Sequence, residues 1–224
     1  MIKLFFAIVI FSAVYACSDF ENESGAPDNV YQGYRFEYDE ASNETYIGAV
    51  FRAGSDTGEV IKLSSPALLM VNEDLCEYDE DNNEYPYQLS FRSRLPEAVI
   101  DFIDFNKKEF INKIELDSLV QIKDFVISID SAFHVVRVAL AGEDKCPQEK
   151  IQLTVMASGK EVTYDVDEGE DNTIIISDDI LSDFEGQLVS VKLLRIKIID
   201  LPDVSNAGGT AQLVYSSKIK EVQL

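Results

Sequence analysis

An all-β fold, two antiparallel β-sandwiches in tandem, follows from three observations on this sequence. Apolar residues recur with a period of two over most of the chain, not 3.6. Turn-forming clusters such as Ala53-Gly54-Ser55-Asp56-Thr57-Gly58, Asn72-Glu73-Asp74 and Asp79-Glu80-Asp81-Asn82-Asn83-Glu84 punctuate the alternation, at the spacing typical of sandwich strands. No stretch sustains a helical stripe. The best local candidate is SDDILSDFEG, where Ser177 caps, Ile180, Leu181 and Phe184 share a face and Gly186 stops it; it reads as a single turn between strands.

The strands can be justified in order. GYRFEY (33–38) is followed by ETYIGAVFR (44–52), which sets Ile47, Ala49 and Phe51 on one face and Tyr46, Gly48 and Arg52 on the other. GEVIKL (58–63), ALLMV (67–71), YPYQLSFR (85–92), AVIDFID (98–104) and EFINKIEL (109–116) complete a first set. A boundary falls near 116–121. The second set runs IKDFVISI, FHVVRVAL, EKIQLTVM, KEVTYDV, NTIII, QLVSVKLLRIKIID and TAQLVYS. In the long segment Val189, Val191 and Leu193 share one parity, and Leu194, Ile196 and Ile198 the other. A switch at Leu193-Leu194 predicts a β-bulge. Gly208-Gly209 supplies positive-φ positions for a tight turn before TAQLVYS. Each set has the size of an immunoglobulin-like sandwich. The expected division is therefore 33–117 and 122–224, joined by a linker at 118–121.

The first residues, MIKLFFAIVIFSAVYACSDF, set the expected compartment. Lys3 precedes an apolar run from Leu4 to Val14, broken only by Ser12. As a helix rising ~1.5 Å per residue, this run reaches about half of a ~30 Å hydrocarbon core. It fits a cleaved signal peptide, residues 1–16, and not a spanning anchor. Two cleavage readings stand. Val14-Tyr15-Ala16 suits ordinary signal peptidase and a released product. Val14-Tyr15-Ala16-Cys17 resembles the bacterial lipobox, with Tyr15 where a small residue is usual, and that resemblance implies lipidation at Cys17. A cysteine directly after the cut favours the second, because an unpaired exposed thiol is a liability. Two or more acyl chains at ~0.8 kcal/mol per buried CH₂ anchor stably. Ser18-Asp19-Phe20-Glu21, with Glu23, resembles the acidic signal that sends lipoproteins of the Bacteroidota to the outer face of the outer membrane. Residues 17–32 then read as the lipidated Cys and a flexible acidic tether.

With this layout the chain resembles the tandem Ig-like lipoproteins of uncharacterised function in Bacteroidota. The features that carry the likeness are the lipobox, the acidic leash, TYIGAVFRAGSDTGEVIKL, the long LLRIK strand and the late Gly-Gly. The resemblance implies a fold and an outer-membrane, surface-exposed location, and it assigns no chemistry. Asp117-Ser118-Leu119 and Asp130-Ser131-Ala132 are similar to the sites at which these bacteria O-glycosylate exported proteins, which makes Ser118 and Ser131 candidate glycosylation sites.

Charge and residue counts narrow the function. With 41 Asp and Glu against 19 Lys and Arg, the net charge is −22, a surface that repels nucleic acid and anionic headgroups. If Cys17 is lipidated, Cys76 and Cys146 remain, either bridged across the two halves or, the favoured state, as two free thiols in loops. The one histidine, His134, alternates with Val136, Val138 and Leu140 and reads as a packed or edge-strand residue, so His-dependent triads have no base. No GxSxG, HExxH, GxxxxGK[ST] or CxxC pattern occurs. The candidate cofactor is Ca²⁺, through Asp79, Asp81 and Asn83 in one acidic loop and Asp165, Asp167 and Asp171 in another; hard oxygen ligands cluster there as the ion requires. Neither loop has the EF-hand glutamate at its twelfth position. Solvated acidic turns are the competing reading. Tyr31, Tyr34, Tyr38, Tyr46, Tyr78, Tyr85 and Tyr87 read mostly as strand and edge residues, with an aromatic sugar platform as the alternative. The expected function is a non-enzymatic, lipid-anchored surface protein that binds a protein or glycan partner or serves envelope assembly. An accessory subunit or enzyme in surface polysaccharide handling is the second expectation.

Overall fold

The computed structural model describes residues 29–116, 122–130, 133–140, 149–166, 173–175, 184 and 186–223; within 122–140, at 166, in 173–175 and at 222 only the backbone is described. The first strands are β1 Val30–Asp39, β2 Glu44–Ala53, β3 Leu68–Val71, β4 Asp74–Leu75, β5 Glu77–Tyr78, β6 Tyr87–Phe91, β7 Glu97–Ile103 and β8 Glu109–Glu115. They are followed by β9 Ile122–Asp130, β10 Phe133–Leu140, β11 Glu149–Ala157, β12 Lys160–Val166, β13 Thr173–Ile175, β14 Leu188–Asp200, β15 Gly209–Ser216 and β16 Lys220–Gln223. The fold is all-β. The large sheet has the order β12-β11-β14-β15-β1-β2-β6-β5, with β16 also on β14. A four-stranded sheet, β4-β3-β7-β8, and a three-stranded sheet, β13-β10-β9, accompany it.

Period-two patterning places the core. β1 turns Tyr34 and Phe36 inward, β2 Ile47, Ala49 and Phe51, and β15 Ala211, Leu213 and Tyr215, all buried. Across from them the four-stranded sheet contributes Ala98, Ile100 and Phe102 from β7 and Phe110 and Ile114 from β8. Phe51 stacks on Phe102 with ring centroids 4.5 Å apart, and Phe102 on Phe110 at 5.8 Å. Each such side chain contributes about 1.5–3 kcal/mol by leaving water, and the ring pairs add to it.

The sheet does not divide where the sequence predicts a division. β15 pairs in parallel with β1, from Gln32↔Gly209 to Asp39↔Ser216, while β14 and β11 continue the same sheet. Buried residues from both halves, among them Phe51 and Leu153, form one cluster. The expected linker at 118–121 lies outside the described residues. The hairpin loop between β14 and β15 also ties the two layers together. Asp203 Oδ2 accepts the Ile111 amide at 2.8 Å, and Asn112 exchanges hydrogen bonds with the Asp203 backbone at 2.7 and 3.0 Å. These bonds occupy the free edge of β8, which would otherwise invite pairing with another chain.

Two further expectations are corrected. The parity switch in β14 is not a bulge in that strand, for β11 and β14 pair without a shift from Glu149↔Lys197 to Met156↔Ser190. Inward parity continues from Val189, Val191 and Leu193 into Arg195, which is 1% exposed. A charged residue at a core position hid the continuity. The irregularity lies on the partner side. Leu194 pairs with Ser216 and Val191 with Lys220, so three steps on β14 face four on the β15–β16 segment, the two-against-one count of a bulge. Nor is GEVIKL a strand. It makes only an isolated bridge, Arg52↔Val60, and is held by the Ile61 amide on the Phe51 carbonyl and the Leu63 amide on the Tyr87 hydroxyl.

Arg195 is neutralised in place. Its Nε and Nη2 both donate to Glu149 Oε2, and Glu149 is likewise buried. Nη1 has no hydrogen-bond partner among the described residues. Taking both charges out of water offsets most of their attraction, so this pair specifies a position more than it adds stability.

Candidate functional site

The outer face of the large sheet carries a cleft of about 240 Å³ over β1, β2, β14 and β15. Alternation turns Tyr31, Gly33 and Arg35 outward on β1, and Tyr46, Gly48, Val50 and Arg52 on β2. β15 adds Thr210 and Gln212, and β14 adds Ile198. Asp56, from the loop after β2, and Glu84 and Tyr85, from the β5–β6 loop, complete the wall.

Two glycines shape the floor. A Cβ on Gly33 would stand 2.9 Å from Val50 Cγ1 and 3.6 Å from Tyr31 Cε1. One on Gly48 would stand 2.7 Å from Tyr85 Cβ and 3.0 Å from its Cγ. Tyr85 therefore packs directly across the β2 backbone, and Tyr31 lies beside Gly33. A glycine inside a strand marks such a close approach. The β5–β6 loop delivers Tyr85 through Asn82, whose Oδ1 accepts the Glu84 and Tyr85 amides at 3.1 and 3.0 Å, an Asx turn.

The polar groups are held in fixed positions. The Tyr31 and Thr210 hydroxyls are hydrogen-bonded at 2.6 Å. Arg35 donates to Glu37 at 3.1 and 2.8 Å and to Gln212 Oε1 at 2.5 Å, and the Glu37 pair cancels its charge. Arg52 Nη1 donates to the Gly58 carbonyl at 3.1 Å. Burial raises the pKa of Tyr85, with Glu84 adding and Arg35 and Arg52 opposing. Tyr46 is raised as well, mainly by burial, with Arg35 opposing. Both phenols keep their protons at neutral pH and can donate.

The tyrosines singled out in the sequence separate into groups. Tyr34 and Tyr87 are buried in the core. Tyr78 packs on Tyr87 at 5.1 Å with Lys62 over its ring, and Tyr38 sits against Tyr215 at 6.0 Å. Tyr31, Tyr46 and Tyr85 share the outer face. Sequence reasoning did not single out Gly33, Gly48, Arg52, Thr210 or Gln212 as site residues. The in-strand glycines were the available signal.

Two described carboxylates of the other expected sites are bonded locally. Asp79 Oδ1 accepts the Asp81 amide at 3.0 Å, and its Oδ2 accepts the Gln88 amide nitrogen at 3.2 Å. Asp165 Oδ1 accepts Gln152 Nε2 at 2.8 Å. Among the described residues no group of three or more His, Cys, Asp and Glu converges on a point that could hold a metal ion. Asp167 and Asp171 lie outside the described residues, as do Cys17, Cys146, Ser118 and Ser131. Cys76 is a free thiol. It lies between β4 and β5 but is buried in the core cluster, and that burial, with Asp74 nearby, pushes its pKa up to about 12. His134 is on β10, paired with Ile129. No described helix is long and apolar enough to cross a membrane.

Comparison with known proteins adds no second source of assignment: no family model matches the chain, and no curated protein is significantly similar to it.

Proposed function

We propose that this protein is a lipid-anchored, non-enzymatic binding module of the bacterial outer surface, and that the outer-face cleft holds its partner. The observation that carries the reading is the cleft itself. Tyr85 is laid over the Gly48 backbone with Tyr31 beside Gly33, and hydroxyl, amide and guanidinium groups are fixed by neighbours on three strands. Core packing requires none of this, since these residues face away from the Phe51–Phe102–Phe110 stack. The groups are suited to holding a ligand: each is tied into a hydrogen bond that orients it, and Tyr31 and Tyr85 keep their rings close to the floor. The N-terminal lipobox-like segment and acidic leash support the tethered location, and the charge of −22 supports a partner other than nucleic acid.

Photo-crosslinking on intact cells tests this reading. Benzoylphenylalanine placed at Ile198, on the rim of the cleft and 43% exposed, is expected to capture a partner that the same probe at Lys113 does not. Equal capture from both positions, or none from Ile198, contradicts it. The anchor is tested by the mass of the mature N-terminus, where an unmodified Cys17 would remove it.

A second reading has one specific observation in its favour. Asp56 and Glu84 line the same cleft, and a pair of carboxyls across a cleft is the equipment of a glycoside hydrolase. Release of reducing ends from an oligosaccharide, abolished by Glu84→Gln, would establish turnover in place of binding.

A further inference from the structure

We infer that the ligand of the outer-face cleft is a neutral saccharide chain, an inference that rests on the binding-module reading and names its ligand class. Four properties of the site point there.

The first is the floor. A Cβ on Gly48 would stand 2.7 Å from Tyr85, and one on Gly33 would stand 2.9 Å from Val50 Cγ1 with the Tyr31 ring 3.6 Å away. Glycine backbone, the Tyr31 and Tyr85 rings and the Val50 methyl group make up this floor. The negative face of a tyrosine ring attracts weakly positive C–H groups, and a sugar ring presents a flat array of these on one side.

The second is the rim. A hydroxyl is both donor and acceptor, so a polyhydroxylated ligand needs both kinds of partner at short intervals. Here Arg52 donates, Glu84 and Asp56 accept, and Thr210 does both. A peptide would instead need apolar pockets for its side chains, and among the described residues Val50 and Ile198 are the only aliphatic side chains lining the cleft.

Charge is the third. The Arg35 guanidinium is neutralised by Glu37, leaving Arg52 against Asp56 and Glu84 within a chain of net charge −22. Phosphorylated, sulfated or uronic-acid ligands would meet repulsion. Bidentate Arg–carboxylate recognition is not available from Arg35, which is already occupied.

Size is the fourth. At about 240 Å³ the cleft is smaller than the ~300–1,000 Å³ that encloses a drug-sized molecule. It accommodates a short part of a chain whose remainder runs out over the sheet, in the direction of Tyr46.

The test uses the full mature chain in calorimetric titration against cellohexaose, xylohexaose, mannohexaose and maltohexaose, with a galacturonic acid hexamer as the anionic comparison. At least one neutral hexamer is expected to bind and the anionic one to bind more weakly. Tyr31→Ala and Tyr85→Ala are each expected to weaken binding about tenfold, the size of one lost aromatic contact. Tyr31→Phe keeps the ring and should stay within about threefold, and Lys113→Ala, on the other sheet, should leave affinity unchanged. Should Tyr85→Ala fold poorly, Arg52→Gln, which keeps the polar stem, serves as the second cleft variant and should also weaken binding. The inference is overturned if no neutral hexamer binds, if the anionic hexamer binds best, or if neither tyrosine substitution changes affinity. Capture from Ile198 on intact cells separates the two failures. Capture without any hexamer binding leaves the module reading standing and removes only the saccharide; loss of both removes both.

Discussion

Strand β1 presents different surfaces to its two sides. Inward, Tyr34 meets Phe51 edge-on at 6.2 Å and Phe36 in a tilted contact at 6.5 Å, and its hydroxyl donates to the buried Gln32. Outward, Tyr31 lies beside Gly33 and Arg35 is paired with Gly48, and the two are bonded to Thr210 and Gln212 on the neighbouring β15. The aromatic content is similar and the treatment opposite. On the inner face rings pack on rings and exclude water; on the outer face they remain half-exposed with their polar ends fixed. Alternation assigns residues to faces, and chemistry then divides the faces into one packed with rings and one that carries bonded polar groups around the cleft.

That division can be broken or sharpened by substitution. The largest effect is expected from Phe51→Ala. It removes a ring at 0% exposure and should cost about 3–5 kcal/mol, read from urea unfolding. Glu149→Ala should approach the same size, about 3–5 kcal/mol, because it leaves the Arg195 charge buried and uncompensated. Replacing both partners, Glu149→Leu with Arg195→Met, should be close to neutral. A large loss in the double variant would mean that the ion pair stabilises outright. Next comes Gly48→Ala at about 1–3 kcal/mol. Its new Cβ must displace Tyr85 at 2.7 Å, so it should weaken ligand binding more than its effect on unfolding suggests.

A pH effect follows from Cys76. Its pKa is pushed up to about 12 against about 8.5 in an unfolded chain. Between these values the native protein holds a proton that the unfolded chain has lost. Stability should therefore fall as pH rises from about 9 towards 12, this group contributing up to ~1.4 kcal/mol per pH unit. Cys76→Ala should make the decline shallower, while at neutral pH the native thiol should resist maleimide until the protein is unfolded. Rapid native labelling would contradict the burial.

Much of the fold is legible in the residues, and its limits are physical. EFINKIEL alternates so regularly that β8 follows directly, with Phe110, Asn112 and Ile114 inward. Arg195 defeats the same rule, because a buried charge breaks the apolar parity of β14 and its partner Glu149 is distant in sequence. The parallel pairing of β1 with β15 leaves no local mark, so a sheet shared by both halves reads as two sandwiches. The cleft is half legible. Gly33 and Gly48 stand out inside strands, but the arrival of Tyr85 over Gly48 depends on where the β5–β6 loop folds, and Thr210 and Gln212 arrive only through the long-range pairing.

The smallest stability effect is expected at the cleft, and it bears most directly on the central claim that the two faces of one sheet do different work. Urea unfolding of Tyr85→Ala beside Phe51→Ala compares one aromatic truncation on each face. The account predicts about 1 kcal/mol or less for Tyr85→Ala, as for a half-exposed side chain, against about 3–5 kcal/mol for Phe51→Ala. Equal losses would contradict it, since the outer tyrosines would then belong to the packing of the fold and not to a surface kept for a ligand.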